Sequence, residues 1–154
     1  MVIFDAVNCI VLNSKELANK VVDTMYNSDW FSQWLGIERL EEDAGKSVLR
    51  LTVRKEMLNG FAIAHGGITY SMADSALAFA ANSYGIQSVS IETSISHLKM
   101  VQEGDVLTAT AVELETKDKI GTYEVNITNQ RGEDVALFKG KVYRTGNEWF
   151  PENE

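Results

Sequence analysis

The sequence predicts an α+β fold in which an antiparallel β-sheet wraps around one long, buried α-helix. Two observations lead to this prediction. Residues 68–81 are almost all apolar or small, as in a helix surrounded by a core. Segments on both sides of this stretch alternate between apolar and polar residues, which is typical of half-buried strands. The 154 residues match the size of one domain with its own core, and we expect a single domain over 1–154.

The chain before the buried helix predicts one helix and one hairpin. Asn13 or Ser14 is a suitable cap for an N-terminal helix over about 13–27. An aromatic connection follows and ends at Gly36, and we interpret its large side chains as core or dimer packing: Trp30, Phe31 and Trp34. A two-residue period then predicts a β-hairpin from segments 37–42 and 46–55.

The central helix is predicted over about 67–84, with Gly85 as its stop signal. Four strand-like segments follow, and turn-forming residues separate them. They span residues 88–99, 105–116, 121–130 and 134–145. We expect them to form a four-stranded meander, followed by a polar tail over about 146–154.

Composition narrows the classes of function. The chain has 22 acidic and 14 basic residues, a net charge of −8, which argues against a nucleic-acid or membrane partner. Cys9 is the only cysteine, so no intrachain disulfide is possible and we expect a cytoplasmic protein. Residues 7–12 lack the basic flank of a secretory signal. With only His65 and His97 in the chain, no metal site is expected.

The segment 59–74, reading NGFAIAHGGITYSMAD, carries the chemistry. Gly66 and Gly67 open the central helix and present N–H groups where negative charge is favoured. Asp74 then places a carboxylate inside an apolar helix, where an acid is rare unless it is paired or has a function. Small and polar residues share its helix face: Ser71, Ser75, Ala78 and Asn82. Acid and oxyanion donors together suggest acyl-transfer chemistry.

The chain resembles the hotdog-fold acyl-CoA thioesterases, and within them the PaaI-type phenylacetate-degradation thioesterases. The resemblance rests on Asn59-Gly60, His65-Gly66-Gly67 and Met72-Ala73-Asp74, in that order. It continues through segments 82–85, 104–109, 128–130 and 135–138 and so covers nearly the whole chain. One departure is Lys99-Met100, where many relatives carry Arg-Pro, so no phosphate-binding arginine is transferred to this position.

The resemblance implies a role for each site residue. Asp74 matches the catalytic acid, and Gly66 matches the glycine whose N–H polarises the thioester carbonyl. Asn59 matches a polar residue that places the carbonyl or the water, and Ser90 matches a hydroxyl used in some relatives. His65 is expected to position neighbouring groups through its ring nitrogens. The resemblance further implies a homodimer, commonly a homotetramer, and an acyl-CoA substrate with no separate cofactor.

Several alternatives remain open at this stage. Asp74 acts either as a nucleophile or as a general base, or it has only a structural role. Asn59 is also a plausible turn residue before Gly60. Hydroxyacyl-thioester dehydration or hydration and non-catalytic acyl-CoA binding are alternative functions. The acyl group is expected to be an aryl- or hydroxyaryl-acetyl group or a medium-length chain.

Overall fold

A six-stranded antiparallel sheet packs against one long helix in the computed structural model, which describes residues 12–151. The helices are α1 (Ser14–Tyr26), α2 (Trp30–Leu35) and α3 (Gly66–Asn82). The strands are β1 (Glu38–Asp43), β2 (Lys46–Thr52), β3 (Ile86–His97), β4 (Val106–Lys117), β5 (Ile120–Thr128) and β6 (Asp134–Glu148). Helix α3 contacts all six strands. The predicted hotdog arrangement is confirmed.

The predicted N-terminal helix is confirmed as α1, with Asn13 as its N-cap. The Asn13 side chain accepts a hydrogen bond from the Glu16 N–H, and the Glu16 carboxylate accepts one from the Asn13 N–H. This reciprocal capping box satisfies two N–H groups at the start of the helix. Cys9 lies outside the described residues.

The aromatic connection differs from the prediction, because it forms the short helix α2. Asp29 caps this helix by accepting a hydrogen bond from the Ser32 N–H, and Gly36 terminates it. The prediction that its three large aromatic residues pack in the core is wrong, since Trp30 is 74% exposed, Phe31 53% and Trp34 58%. The buried face of α2 is formed instead by Ser32 and Leu35.

The predicted four-stranded meander is wrong in one pairing. The sheet order is β1-β2-β4-β5-β6-β3, so β4, β5 and β6 form a meander while β3 pairs with β6. An alternating pattern identifies a strand but carries no information about its partner. The partner is set by how the sheet curves around α3, which brings the strand after the helix to the far edge.

Helix α3 lies close to the sheet because the residue that faces it on β6, Gly140, has no side chain. Its buried side includes Met72, Leu77 and Phe79. A Cβ atom at Gly140 of β6 would lie 2.5 Å from Leu77 Cδ2, so a side chain at this position is incompatible with the observed packing. Burial of each large α3 side chain contributes roughly 1.5–3 kcal/mol to folding.

Two predicted boundaries need correction. The central helix ends at Asn82 rather than near residue 84, because the Ser83 hydroxyl donates to the Ala80 carbonyl and the Asn82 amide donates to the Ala78 carbonyl. The predicted polar tail is ordered over part of its length. β6 continues to Glu148, and the Trp149 indole N–H then donates to Asn82 Oδ1 over 2.9 Å.

None of the helices within residues 12–151 combines the length and the apolar character that a membrane span requires.

Glu42 is an unusual buried acid on β1. Its side chain is 2% exposed, Oε1 lies 3.2 Å from Arg39 Nε, and Oε2 has no hydrogen-bond partner among the described residues. Burial raises the pKa of the Glu42 carboxyl from 4.5 to about 7, although Arg39 opposes the shift. The folded chain therefore holds a proton that the unfolded chain releases between these two pH values.

This raised pKa predicts that Glu42 reduces stability as the pH rises from about 4.5 to about 7. Glu42→Gln is expected to remove that part of the pH dependence and to raise the free energy of unfolding at pH 8 by on the order of 2–3 kcal/mol. Urea unfolding at pH 5 and pH 8, at one protein concentration, measures the effect. Glu41→Gln, a change at the neighbouring acid, is the control. An unchanged pH dependence in Glu42→Gln contradicts the prediction.

Candidate active site

The Gly66 N–H at the N-terminus of α3 is a free backbone donor among the described residues. His65 is the N-cap, and its Nδ1 accepts a hydrogen bond from the Gly67 N–H over 2.9 Å. The Gly66 N–H has no acceptor within residues 12–151. A free N–H at a helix N-terminus suits a developing negative charge on a substrate oxygen. The predicted positioning role of His65 is consistent with this cap, because His65 occupies the second N–H and leaves the first available.

Asn59 combines a structural contact with a free donor. Its Oδ1 accepts hydrogen bonds from the Phe61 N–H at 2.8 Å and the Ile63 N–H at 3.5 Å, which fixes the loop before α3. No hydrogen bond from its Nδ2 is found within the described part of the chain. The turn role and the predicted substrate role are therefore compatible, since they use different atoms of one amide.

His97 is a neighbour of Gly66 that the sequence did not identify. It ends β3, and its Nδ1 lies 3.4 Å from the Thr69 hydroxyl, which itself donates to the Gly66 carbonyl. A Cβ atom at Gly66 would lie 3.0 Å from His97 Nε2. The only signal in the sequence was that His97 is the second of two histidines, because its distance from Gly66 depends on the folding of β3 against α3.

These residues border a cavity of about 360 Å³, which we call the donor cavity. Asn59, Gly66 and His97 line it together with Thr69, Lys99 and Met100. Lys99 is engaged by Glu133, with 2.8 Å between Nζ and Oε1. The donor cavity thus contains the predicted carbonyl-binding groups, but no carboxylate.

Asp74 lies in a second cavity of about 410 Å³, which we call the acid cavity. Apolar side chains make up much of its lining, among them Met25, Leu77, Val89, Val142 and Trp149. Burial raises the pKa of the Asp74 carboxyl, and no hydrogen bond or charge of the described residues offsets the shift. A carboxylate with a raised pKa is a stronger base near neutral pH.

Ser90 borders the same cavity from β3. A β-bulge lies between Ser90 and Glu92, where the register with β6 shifts. Bulges change the direction of side chains and are frequent near active sites. The structure therefore brings Ser90 and Asp74 to one cavity, although they come from different elements.

The polar face of α3 serves two purposes. Asp74, Ala78 and Asn82 border the acid cavity, as the helical spacing predicts. Ser75 instead lies 2.8 Å from the Ser32 hydroxyl and joins α3 to α2. The predicted site face is thus partly a structural contact.

A single chain does not bring all the predicted residues together. Gly66 and Asp74 are eight residues apart on one helix, a separation of about 12 Å along its axis. The structure groups Asn59, Gly66 and His97 at one cavity and Asp74 with Ser90 at the other.

Comparison with known proteins adds to this geometry. The model of the thioesterase superfamily matches residues 61–136, which include Gly66, Asp74 and Ser90. The acyl-coenzyme A thioesterase PaaI of Escherichia coli is 41% identical over 122 residues, or 79% of this chain and 87% of the relative. The chain belongs to the thioesterase superfamily. The predicted resemblance to PaaI-type enzymes is confirmed, and this thioesterase is a thioester hydrolase.

Solved structures agree with this assignment. The E. coli PaaI protein superposes with a TM-score of 0.86 at 38% identity, covering 88% of this chain and 99% of that one. A hypothetical thioesterase protein from Streptococcus pneumoniae, solved with coenzyme A, has a TM-score of 0.70 at 28% identity. That match covers 73% of this chain and 90% of the other.

The described residues of the thioesterase contain no group of three or more His, Cys, Asp or Glu side chains placed to hold a metal ion.

The contact between Gly66 and His97 leads to a prediction. Gly66→Ala keeps the backbone N–H but places a Cβ against the imidazole, which crowds the space beside the donor. Because this crowding keeps the carbonyl oxygen away from the N–H, we expect kcat to fall by about 10²-fold, the scale of losing one oxyanion donor. KM is expected to change less. Gly60→Ala is the matched control, because its Cβ meets no atom within 4 Å. Steady-state kinetics of both variants measure the effect, and a change in KM alone contradicts an oxyanion role.

Proposed function

We propose that this thioesterase hydrolyses acyl-CoA thioesters to the free acid and coenzyme A. The observation that carries the proposal is that α3 bears two groups suited to thioester hydrolysis. One is the free Gly66 N–H, and the other is Asp74, a half-buried carboxylate with a raised pKa. The similarity to E. coli PaaI supports acyl-CoA as the substrate class.

In the proposed mechanism, the Gly66 N–H and the Asn59 amide polarise the thioester carbonyl. Negative charge then grows on the carbonyl oxygen as the tetrahedral intermediate forms, and a preorganised N–H stabilises it. Asp74 deprotonates a water positioned with help from Ser90, or it attacks the carbonyl carbon directly. Collapse of the intermediate breaks the C–S bond, and the electron pair leaves with the sulfur. In the water route the thiolate takes up the proton held by Asp74. In the direct route the acyl group stays on Asp74 as a mixed anhydride, which water then hydrolyses to the free acid.

We infer that each active site is shared by two chains. The separation of about 12 Å between Gly66 and Asp74 along one helix exceeds the reach of an aspartate side chain. A twofold axis that sets two α3 helices antiparallel would bring the donor cavity of one chain to the acid cavity of the other. Asn59 and Gly66 would then act with Asp74 and Ser90 of the second copy.

The exposed edge strand β3 supports a homodimer. Among residues 12–151, β3 pairs only with β6 and forms one edge of the sheet. Its residues Val89 and Ile91 are each 56% exposed, although long apolar edges usually receive a partner in folded proteins. β3 also carries Ser90, so pairing along this edge would bring the second chain to the acid cavity. The homotetramer and the cytoplasmic location remain predictions from the sequence.

We propose an aryl-acetyl, hydroxyaryl-acetyl or medium-length acyl group as the preferred substrate. The acid cavity has the volume typical of a small-molecule site, and its lining combines apolar side chains with a few polar groups. Asp74 belongs to this lining, so the scissile carbonyl would lie at its mouth. The similar E. coli PaaI protein comes from a phenylacetic acid degradation operon, which supports an aromatic group.

Dehydration of a hydroxyacyl thioester is less well supported. Such a reaction needs a histidine paired with an acid at the reacting carbon. His65 Nδ1 is occupied by the Gly67 N–H, and His97 Nδ1 lies beside the Thr69 hydroxyl. No hydrogen bond or ion pair joins either ring to a carboxylate among residues 12–151.

Release of free thiol from a panel of acyl-CoAs tests the proposed function. Wild-type protein is expected to hydrolyse aryl-acetyl or medium-length thioesters, and Asp74→Asn to lower kcat by at least about 10²-fold with the fold intact. Ser71→Ala, which removes a polar group one turn earlier on α3, is the control. Near-normal turnover by well-folded Asp74→Asn would refute the role of the acid. No turnover of any thioester by wild type would refute the proposed function.

The shared site predicts complementation between two inactive chains. Asn59→Asp keeps the oxygen that accepts from the Phe61 N–H but replaces the amide donor, and Asp74→Asn removes the acid. In a heterodimer, one of the two sites would combine an intact Asn59 with an intact Asp74. Isolated heterodimers are therefore expected to have about half of the wild-type activity per dimer.

The complementation experiment uses differently tagged chains, refolded together and isolated by both tags. A double variant carrying both substitutions in one chain, paired with wild type, is the control. A shared site leaves both sites of that heterodimer incomplete, whereas an unshared site leaves one of them intact. Verified heterodimers without activity would show that the site is not shared.

A further inference from the structure

Part of the lining of the acid cavity comes from outside the region that matches the superfamily model. That region spans residues 61–136, whereas Met25 comes from α1 and Trp149 follows β6. Both side chains line the cavity that contains Asp74. The proposed catalytic groups Gly66, Asp74 and Ser90 thus lie within residues 61–136. Part of the cavity wall around Asp74 comes from the segments before and after that region.

Trp149 is held at the C-terminal end of α3. Its indole N–H donates to Asn82 Oδ1 over 2.9 Å, and its backbone N–H donates to the Gly85 carbonyl over 2.8 Å. Asn82 lies eight residues beyond Asp74 on α3, or about 12 Å along the helix. The cavity therefore follows two turns of α3 from the carboxylate to the indole.

Asn82 holds the indole rigidly because all of its hydrogen-bonding groups are used. Its side chain is 2% exposed, and Oδ1 accepts from the Ser88 N–H as well as from the indole. Its Nδ2 donates to the carbonyls of Ala78 and Ser88. A buried amide with every bond satisfied has one favoured orientation. The position of Trp149 is therefore set by α3 and the start of β3.

A second contact fixes the segment that carries the indole. The Lys20 ammonium of α1 lies 4.1 Å from the centre of the Phe150 ring, a cation–π interaction. Phe150 itself borders a different, smaller cavity together with Leu17 and Gly85. Residues 149–151 are thus attached to both α1 and α3, and among them only Trp149 borders the acid cavity.

We infer that Trp149 is a specificity-determining residue that closes the acyl pocket opposite Asp74 and limits the length of the acyl group. The inference rests on the proposed acyl-CoA hydrolysis. An acyl group whose carbonyl lies near Asp74 would extend along Leu77 and Ala78 and end against the indole. A group that extends beyond the indole would have to displace it from Asn82, which lowers the kcat/KM for that substrate.

The experiment measures kcat/KM for a series of straight-chain acyl-CoAs of increasing length. Trp149→Ala is expected to raise the ratio of long-chain to short-chain kcat/KM by at least about tenfold, since a few methylenes in an apolar pocket give this discrimination. Trp149→Phe keeps most of the wall and removes the N–H, so its ratio should stay within about threefold of wild type. Phe150→Ala is the matched control for loosening of the segment.

Ala78→Leu tests the same inference by making the cavity smaller instead of larger. This test remains valid even if Trp149→Ala does not fold. Its larger side chain fills the middle of the cavity and should lower the ratio of long-chain to short-chain kcat/KM by at least about tenfold. An unchanged ratio in both Trp149→Ala and Ala78→Leu would overturn the inference, as would an equal shift in Phe150→Ala. These outcomes all require activity on some acyl-CoA. Absence of activity in wild type would instead refute the proposed function.

Discussion

The close packing of α3 against the curved sheet determines where every candidate site residue lies. Gly140 leaves no room for a side chain beside Leu77, so the helix lies directly on β6. Its N-terminus then reaches His97 at the end of β3, while its middle places Asp74 under the start of the same strand. One rigid element thus carries both the donor and the acid, and its geometry keeps them about 12 Å apart.

That separation connects the fold to the chemistry. In the proposed mechanism, the helix N-terminus supplies an N–H for the oxyanion, and burial on the helix supplies a carboxylate with a raised pKa. Neither property depends on the other, because each arises from a different part of α3. In the proposed dimer, a second copy supplies the missing group to each half-site, and the edge that β3 forms among the described strands lies beside the acid cavity.

Segments on both sides of the region that matches the superfamily model contribute to the acid cavity. α1 contributes Met25 to the acid cavity, and the residues after β6 contribute Trp149. Trp149 is attached to Asn82 of α3, and the neighbouring Phe150 is attached to Lys20 of α1. Variation in these flanks would change the size of the cavity without altering the donor or the acid, so that one catalytic arrangement would serve different acyl groups.

The sequence by itself determined the central helix, the six strands and the segment with Gly66 and Asp74, because apolar periodicity and helix-opening glycines are local signals. The family motif identified Ser90, which the bulge in β3 brings to the acid cavity. Only the tertiary structure decided the pairing of β3 with β6, the exposure of Trp30 and Trp34, and the positions of His97 and Trp149. These depend on contacts between residues far apart in the chain, for which a local pattern carries no signal. For the same reason the buried, high-pKa carboxyl of Glu42 emerged only once β1 was folded against its neighbours.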